Sequence, residues 1–225
     1  CTFRFSQWDP ANPKNKYEGT KEQWEEAQAV MGRILDNLGL EYTIGIDEAA
    51  FYGPKLDIQY KNVFGKEDTL VTIQIDMLLA QRYGMEYVDS DGQKKTPYII
   101  HRTSLGCYER TLAYMIEKYA GAMPLWIAPE QARIMTITDR ADDAAYDLKD
   151  KLEKAGIRVE VDSRNEKIGF KLREARTEKI PYQLVLGDKE AEAGTVAVTK
   201  RGSQESVVMS ADELLAPMDR GIAAK

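Results

Sequence analysis

The eight residues LVTIQIDM, Leu70–Met77, alternate so that Val71, Ile73, Ile75 and Met77 share one face of an extended chain and Thr72, Gln74 and Asp76 share the other. A strand with this period packs its apolar face on a core. Its polar face has two readings that the residues alone leave open. One is an ordinary sheet face in water. The other is the floor of a binding site, because an open antiparallel sheet offers rigid, evenly spaced side chains.

Upstream, EYTIGI (41–46) and PKLDIQY (54–60) read as further strands, and the opening CTFRFSQWDP reads as the middle of another. In GTKEQWEEAQAVMGRILDNLG (19–39), Thr20 and Gln23 have capping-box spacing, and Trp24, Ala27, Met31, Ile34, Leu35 and Leu38 recur at helical intervals. Downstream, turn chemistry in VDSDGQKK (88–95) precedes a strand YIIHR (98–102). A helix follows, with an apolar stripe of Leu105, Tyr108, Leu112, Met115, Ile116 and Tyr119, ending at Gly121. This order predicts an α+β unit built on a largely antiparallel sheet.

From GAMPLWIAPEQ (121–131) onward, strand and helix alternate. ARIMTIT, IRVEVD and YQLVLGD read as strands, separated by helices through DAAYDLKDKLEKAG and around GFKLREARTEK. GTVAVTKRG and ESVVMS form a predicted hairpin, and Ser210 with Glu213 caps a last helix. The second half is thus a compact α/β domain with a mixed, mostly parallel sheet, and the predicted division is 1–125 and 126–225.

The 225 residues, 43% hydrophobic and 30% charged, describe a globular protein, and no apolar run approaches the roughly 18 residues of a membrane span. Two cysteines, Cys1 and Cys107, make neither a disulfide framework nor a cysteine-rich zinc site, which fits a cytoplasmic location. No signal peptide is visible, and the start without methionine suggests a fragment of a longer chain. A net charge of −6 provides no overall basic field, so any contact with RNA has to be local.

Four further places can carry chemistry. His101, the single histidine, is either a hydrogen-bonded structural residue or a ligand that needs partners from elsewhere. Arg110, near a helix start, is either a solvated cation or a platform for a base and a triphosphate. The turn in EAAFYGPK (48–55) can present Tyr52 and Lys55 to a pocket. The stretch SRNEKIGFKLREARTEKI (163–180) holds six Lys or Arg against three Glu, and reads either as a phosphate contact or as an exposed helix.

Taken in order, EAAFYGPK, TIQID, IIHRTSLGCYER, PLWIAPEQ, AGIRVEVDSRNEKIGFKLRE and IPYQLVLGDKE resemble the C-terminal part of the threonyl-tRNA synthetases. The resemblance implies the later portion of a class II synthetase catalytic domain, followed by an anticodon-binding domain. It implies a ligase that makes threonyl adenylate from threonine and ATP–Mg and transfers threonine to tRNA(Thr), and a homodimer in the intact family enzyme. HRTSLGCYER matches the third class II motif, whose arginine, here Arg110, packs on adenine and reaches the phosphates. His101 matches one of three protein ligands to a zinc ion that reads the amino and hydroxyl groups of threonine. An open metal position of that kind rejects a valine that lacks the hydroxyl. By the same resemblance Tyr52 and Gln74 line the threonine pocket, Lys55 lies near the α-phosphate and Thr72 near the nucleotide. Asn165 and Glu190 meet anticodon bases, with Arg173 beside them.

Several positions depart from that pattern. In the family the other two zinc ligands and the first two class II motifs lie upstream of the matched region, and none is present here. The expectation is therefore that these 225 residues alone are inactive and bind zinc poorly. Cys107 stands where serine is common, Thr69 where glutamine often contacts nucleotide, and Thr199 where arginine often meets the anticodon, with Lys200 or Arg201 as replacements. The alternative function is a non-catalytic, tRNA-binding synthetase-like paralogue or accessory module. The presence of Tyr52, Lys55, Gln74, His101 and Arg110 together favours the enzyme.

Overall fold

A computed structural model describes residues 1–12 and 16–223 and divides the chain into two compact units, Cys1–Glu117 and Lys118–Lys225. In the first, β1 (Thr2–Gln7) leads through α1 (Lys21–Asn37) to β2 (Tyr42–Ile46), which pairs parallel with β1. β3 (Lys55–Lys61) and β4 (Glu67–Asp76) form an antiparallel pair. A short α2 (Leu79–Arg82) and a two-stranded ribbon, β5 (Tyr87–Val88) with β6 (Lys94–Lys95), precede β7 (Ile99–Arg102) and α3 (Tyr108–Tyr119). The sheet order is β2-β1-β3-β4-β7, antiparallel except for the β1–β2 pair that α1 connects.

The capping box expected at Thr20 is formed: the Gln23 N–H donates to Thr20 Oγ1 at 3.3 Å, and the Thr20 N–H donates to Gln23 Oε1 at 2.9 Å. Below it Trp24, Ala27, Met31 and Leu35 pack against Phe5, Leu56, Ile75 and Met77, so α1 covers one face of the sheet. Ile34 and Leu38 lie outside this core, 52% and 66% exposed. Each is turned about 100° per residue away from its neighbour on the buried stripe, and the flat sheet reaches only one side of the helix. The expected apolar stripe on α3 is likewise uncovered: Tyr108, Leu112 and Ile116 are exposed and no residue of α3 is buried. The contacts that hold this helix run from its other flank, where the Tyr114 ring sits 4.1 Å from that of Tyr60.

The second unit begins with a 3-10 turn at Leu125–Ile127 and continues through β8 (Ala132–Thr136), α4 (Asp142–Lys154), β9 (Val159–Asp162), α5 (Ile168–Thr177) and β10 (Tyr182–Leu186). It closes with α6 (Asp188–Ala193), the hairpin β11 (Thr195–Lys200) and β12 (Ser206–Ser210), and α7 (Ala211–Ala223). The order β12-β11-β10-β8-β9 joins three parallel strands to an antiparallel hairpin, a mixed sheet. Residues Ala145 and Leu152 of α4 and Leu214 and Met218 of α7 pack on Ile134 and Leu184. Ala175 of α5 packs on Met135 and Val185, the opposite face, since neighbouring residues of a strand point to opposite sides. The short α6 is absent from the sequence reading, since its six residues are too few to show a helical period. Ser210 and Glu213 cap α7 as expected.

The placement of α1 predicts unequal costs for adjacent residues. Leu35→Ala is expected to destabilise by about 2–5 kcal/mol and Ile34→Ala by less than about 0.5 kcal/mol, read from urea unfolding followed by tryptophan fluorescence. Equal costs would place the helix in the wrong rotation.

Candidate functional site

Strand register builds the first site. Ser6 lies opposite Lys55, Lys55 opposite Gln74 and Gln74 opposite His101, so one row of side chains crosses β1, β3, β4 and β7 on a single face. Beside it runs a second row in which Arg4 faces Asp57 and Asp57 faces Thr72. This is the face opposite α1. Gln74 and Asp76 are buried and Thr72 is half-buried, which overturns the reading of these residues as an ordinary sheet face in water.

Tyr52 reaches this face from the loop before β3. Its hydroxyl donates to Gln74 Oε1 at 3.1 Å, and its ring stands edge-on to the His101 ring at 6.3 Å. The loop is seated on the strand by two hydrogen bonds, from Met77 N–H to the Tyr52 carbonyl at 3.0 Å and from Ile75 N–H to the Pro54 carbonyl at 3.1 Å. Such close backbone approach requires Gly53, where a Cβ would stand 1.7 Å from the Ile75 carbonyl oxygen.

Two buried carboxylates organise the row; the sequence reading places Asp76 on the polar face with Thr72 and Gln74 but gives it no separate role, and it does not single out Asp57. Asp57 accepts from Thr72 Oγ1 at 2.7 Å and from Ser6 Oγ at 3.2 Å, and it pairs with Lys55 Nζ at 2.8 Å. The polar heads of Thr72 and Lys55 are therefore both held by Asp57. Asp76 accepts the Leu78 and Leu79 N–H groups on Oδ1 and meets His101 Nε2 at 2.9 Å on Oδ2. Burial works to raise the Asp76 carboxyl, but the hydrogen bonds from His101, Leu79 and Leu78 outweigh it and hold it below the usual carboxylate range. The only sequence signal for either residue is a carboxylate in alternation with apolar neighbours, a pattern every exposed strand also has.

Arg110 lies further along β4, its Nη1 donating to the Thr69 carbonyl at 2.9 Å, in a hollow lined by Tyr60, Asp68 and Thr69. The turn before α3 touches the same strand: Gly106 has φ +67°, and a Cβ there would lie 2.0 Å from the Leu70 carbonyl oxygen. Cys107 Sγ donates to Glu109 Oε2 at 2.8 Å. Among the described residues no group of three or more His, Cys, Asp or Glu stands close enough to hold a metal, so His101 is at most one ligand of a larger set.

In the second unit α4 and α5 leave the adjacent strands β8 and β9 toward opposite faces, and crevices at such switch points take ligands. The crevice is lined by Thr136, Thr138 and Asp139 after β8, by Ser163, Asn165 and Glu166 after β9, and by Lys171 of α5. Lys171 is 1% exposed and donates to the Thr136 and Asp162 carbonyls, both at 2.9 Å, tying the two strand ends together. Asp162 binds Arg164 through both carboxylate oxygens, at 2.8 and 2.7 Å. Arg164 also bonds Glu174. The crevice thus contains Asn165 but not the other two anticodon candidates. Arg173 is exposed on α5, and Glu190 accepts the Gly187 N–H at 3.0 Å and lines a different hollow with Ala144 and Lys151. Thr199 pairs with Gln183 on the sheet. Of its two neighbours, Arg201 is committed to the Lys179 and Met123 carbonyls at 2.7 and 2.8 Å, while Lys200 is exposed.

Comparison with known proteins agrees with this division. Residues 6–119 match the family model described as tRNA synthetase class II core domain (G, H, P, S and T), and residues 131–219 match the one described as anticodon binding domain. The chain is 57% identical over 208 residues to the threonine–tRNA ligase of Clostridium perfringens (strain 13 / Type A), covering 92% of this chain and 32% of that protein. It is 50% identical over 224 residues to that of Clostridium botulinum (strain Eklund 17B / Type B), covering 100% of this chain and 35% of that protein. It therefore spans about a third of the length of these relatives. A crystal structure of the RNA binding domain of threonyl-tRNA synthetase from Cryptosporidium parvum Iowa II superposes with a TM-score of 0.82 at 29% identity, over 97% of this chain and 54% of that one.

Two outcomes follow from the geometry. Gly53→Ala is expected to destabilise the first unit by about 1–3 kcal/mol, measured by denaturant unfolding, because the added methyl meets backbone. The Asp162 carboxyl lies below its usual range chiefly because Arg164 bonds it, and it is largely buried. Its contribution to stability is present above the unfolded-chain value of about 4 and is lost as pH falls through the lower folded value. Asp162→Asn should therefore cost about 1 kcal/mol at pH 7 and progressively less in acid, the two unfolding curves converging once the pH has fallen through the lowered folded value.

Proposed function

The chain belongs to the family of the tRNA synthetase class II core domain (G, H, P, S and T), and we propose that it is the part of a threonine–tRNA ligase that completes the active site and reads the anticodon. The observation that carries this reading is the cross-strand row Lys55–Gln74–His101 with Tyr52 bonded to Gln74, on a partly buried polar face. Identity of 57% to a threonine–tRNA ligase supports threonine as the amino acid.

Gln74 and Arg110's partner Thr69 stand five residues apart on β4, roughly 16 Å at about 3.3 Å per residue. That length suits an amino acid joined to a nucleotide. Threonine occupies the end at Tyr52, Gln74 and His101. ATP, entering with Mg²⁺, places its adenine toward Arg110, whose guanidinium provides both charge and a flat face. Lys55, steadied by Asp57, faces the α-phosphate, and Thr72 lies between the two ends. The chemistry is mainly positioning and charge neutralisation as the carboxylate attacks phosphorus. A zinc ion with His101 among its ligands would supply a Lewis-acid centre at the threonine end of the site. The imidazole suits that use, because a buried carboxylate backs one of its nitrogens. Its remaining ligands would have to come from outside the described residues, among which no group of three or more His, Cys, Asp or Glu is assembled. In the second unit Asn165 reads an exposed base edge in the switch-point crevice, and Arg173, Glu190 and Lys200 contribute around it. The whole enzyme works as a homodimer in the cytoplasm. Among the described residues no helix is long and apolar enough to cross a membrane.

Threonine-dependent ATP–pyrophosphate exchange tests this reading in the intact protein that carries the chain. Arg110→Ala is expected to lower exchange by about 100-fold or more, and valine should not support it. The 225 residues alone should give none. Exchange specific for another amino acid would overturn the assignment.

A further inference from the structure

Asp76 is the least explained residue on the site face. It is buried, it meets none of the side chains assigned to substrate except His101, and its two oxygens are divided between different tasks. Oδ1 accepts the Leu78 and Leu79 N–H groups at 2.8 and 2.9 Å, which fixes the carboxylate plane against the first turn of α2. Oδ2 is left to His101 Nε2 at 2.9 Å. The His101 side chain itself remains 45% exposed, so its far edge opens onto the face that Tyr52 and Gln74 line.

The protonation state of the pair follows from donor and acceptor bookkeeping. Oδ1 already accepts two backbone N–H groups, and a carboxyl is the stronger acid of the two side chains, so the hydrogen between Oδ2 and Nε2 sits on the nitrogen. In a neutral imidazole only one nitrogen is protonated. Hydrogen on Nε2 therefore leaves Nδ1 with a lone pair.

We propose that Asp76 is the positioning residue that locks His101 as the Nε2–H tautomer, so that Nδ1 is the electron-pair donor presented to the site. The inference rests on the reading of His101 as a ligand for what it means in function, but the tautomer is a property of this chain alone. The ligand class is an electron-pair acceptor, a divalent cation such as zinc. The backing of the opposite nitrogen by a carboxylate orients the ring and raises its basicity. Two backbone donors on Oδ1 make the arrangement rigid before any ligand arrives, since the carboxylate cannot rotate without leaving the Leu78 and Leu79 N–H groups unpaired.

His101 is the single histidine of the chain, so long-range ¹H–¹⁵N correlation spectra of the uniformly labelled 225-residue protein report its tautomer without assignment ambiguity. At about pH 9, where an imidazole is neutral, the spectrum should show a protonated Nε2 and an unprotonated Nδ1. Asp76→Asn keeps an oxygen for Leu78 and Leu79 but turns an amide N–H₂ toward the ring. That donor needs a lone pair on Nε2, so the variant should shift to the Nδ1–H form. An Nδ1–H tautomer in the wild-type protein, or the same tautomer in both proteins, overturns the proposal. The wild-type spectrum decides it even where the variant does not fold. Zinc analysis of the intact protein is the separate test of the metal reading. Absence of zinc there removes the ligand role of His101 and leaves the tautomer result standing. With zinc present, Asp76→Asn should weaken its binding by about 10–100-fold, and unchanged affinity counts against the positioning role.

Discussion

The hydrogen-bond register between β3, β4 and β7 is the constraint on which the first unit depends. Side chains in a sheet alternate, so a slip of one residue in β4 would carry Gln74 to the α1 face and bring Ile73 or Ile75 onto the site. What prevents the slip is the core. Ile75, Met77, Leu56 and Phe5 are matched to Trp24, Ala27, Met31 and Leu35, and moving that set to the other face would expose all of it. The polar row is therefore held by packing on the face it does not touch. The same sheet explains why buried polar groups are tolerated here. Asp57 and Asp76 each find donors on neighbouring elements, so burial leaves neither without partners.

A consistent division of labour recurs between the units. In each, strands fix positions and a turn at a strand end brings in a further polar group: Tyr52 through the turn at Gly53 in the first, Asn165 through the turn after β9 in the second. In each, one buried ionisable side chain ties the parts together. Asp57 draws Thr72 and Lys55 into one cluster, and Lys171 bridges the ends of β8 and β9. Removing either would leave buried groups unpaired, which costs more than the net worth of the bonds themselves.

The sequence is legible where a local rule suffices. The Thr20–Gln23 box, the hairpin of β11 and β12, the Ser210 cap and the change to alternating strand and helix after residue 121 all follow from neighbours within a few residues. It is less legible where a face has to find a partner. Ile34 and Leu38 continue the helical stripe of α1 yet lie in solvent, and the stripe of α3 is exposed at Tyr108, Leu112 and Ile116. Periodicity says which residues share a face, while only packing says whether that face is covered.

Composition, period and capping residues by themselves determined the two fold classes, nearly every element, and a short set of polar residues that included Tyr52, Lys55, Gln74, His101 and Arg110. The tertiary structure decided which of these meet. It placed Tyr52 on Gln74 across 22 positions, His101 on Asp76 across 25, and Lys55 and Thr72 on the same carboxylate. It also separated Glu190 from the crevice that Asn165 lines. The reason is physical: a strand's own sequence fixes the face on which a side chain stands, whereas its neighbour across the sheet depends on how strands distant in the chain pair.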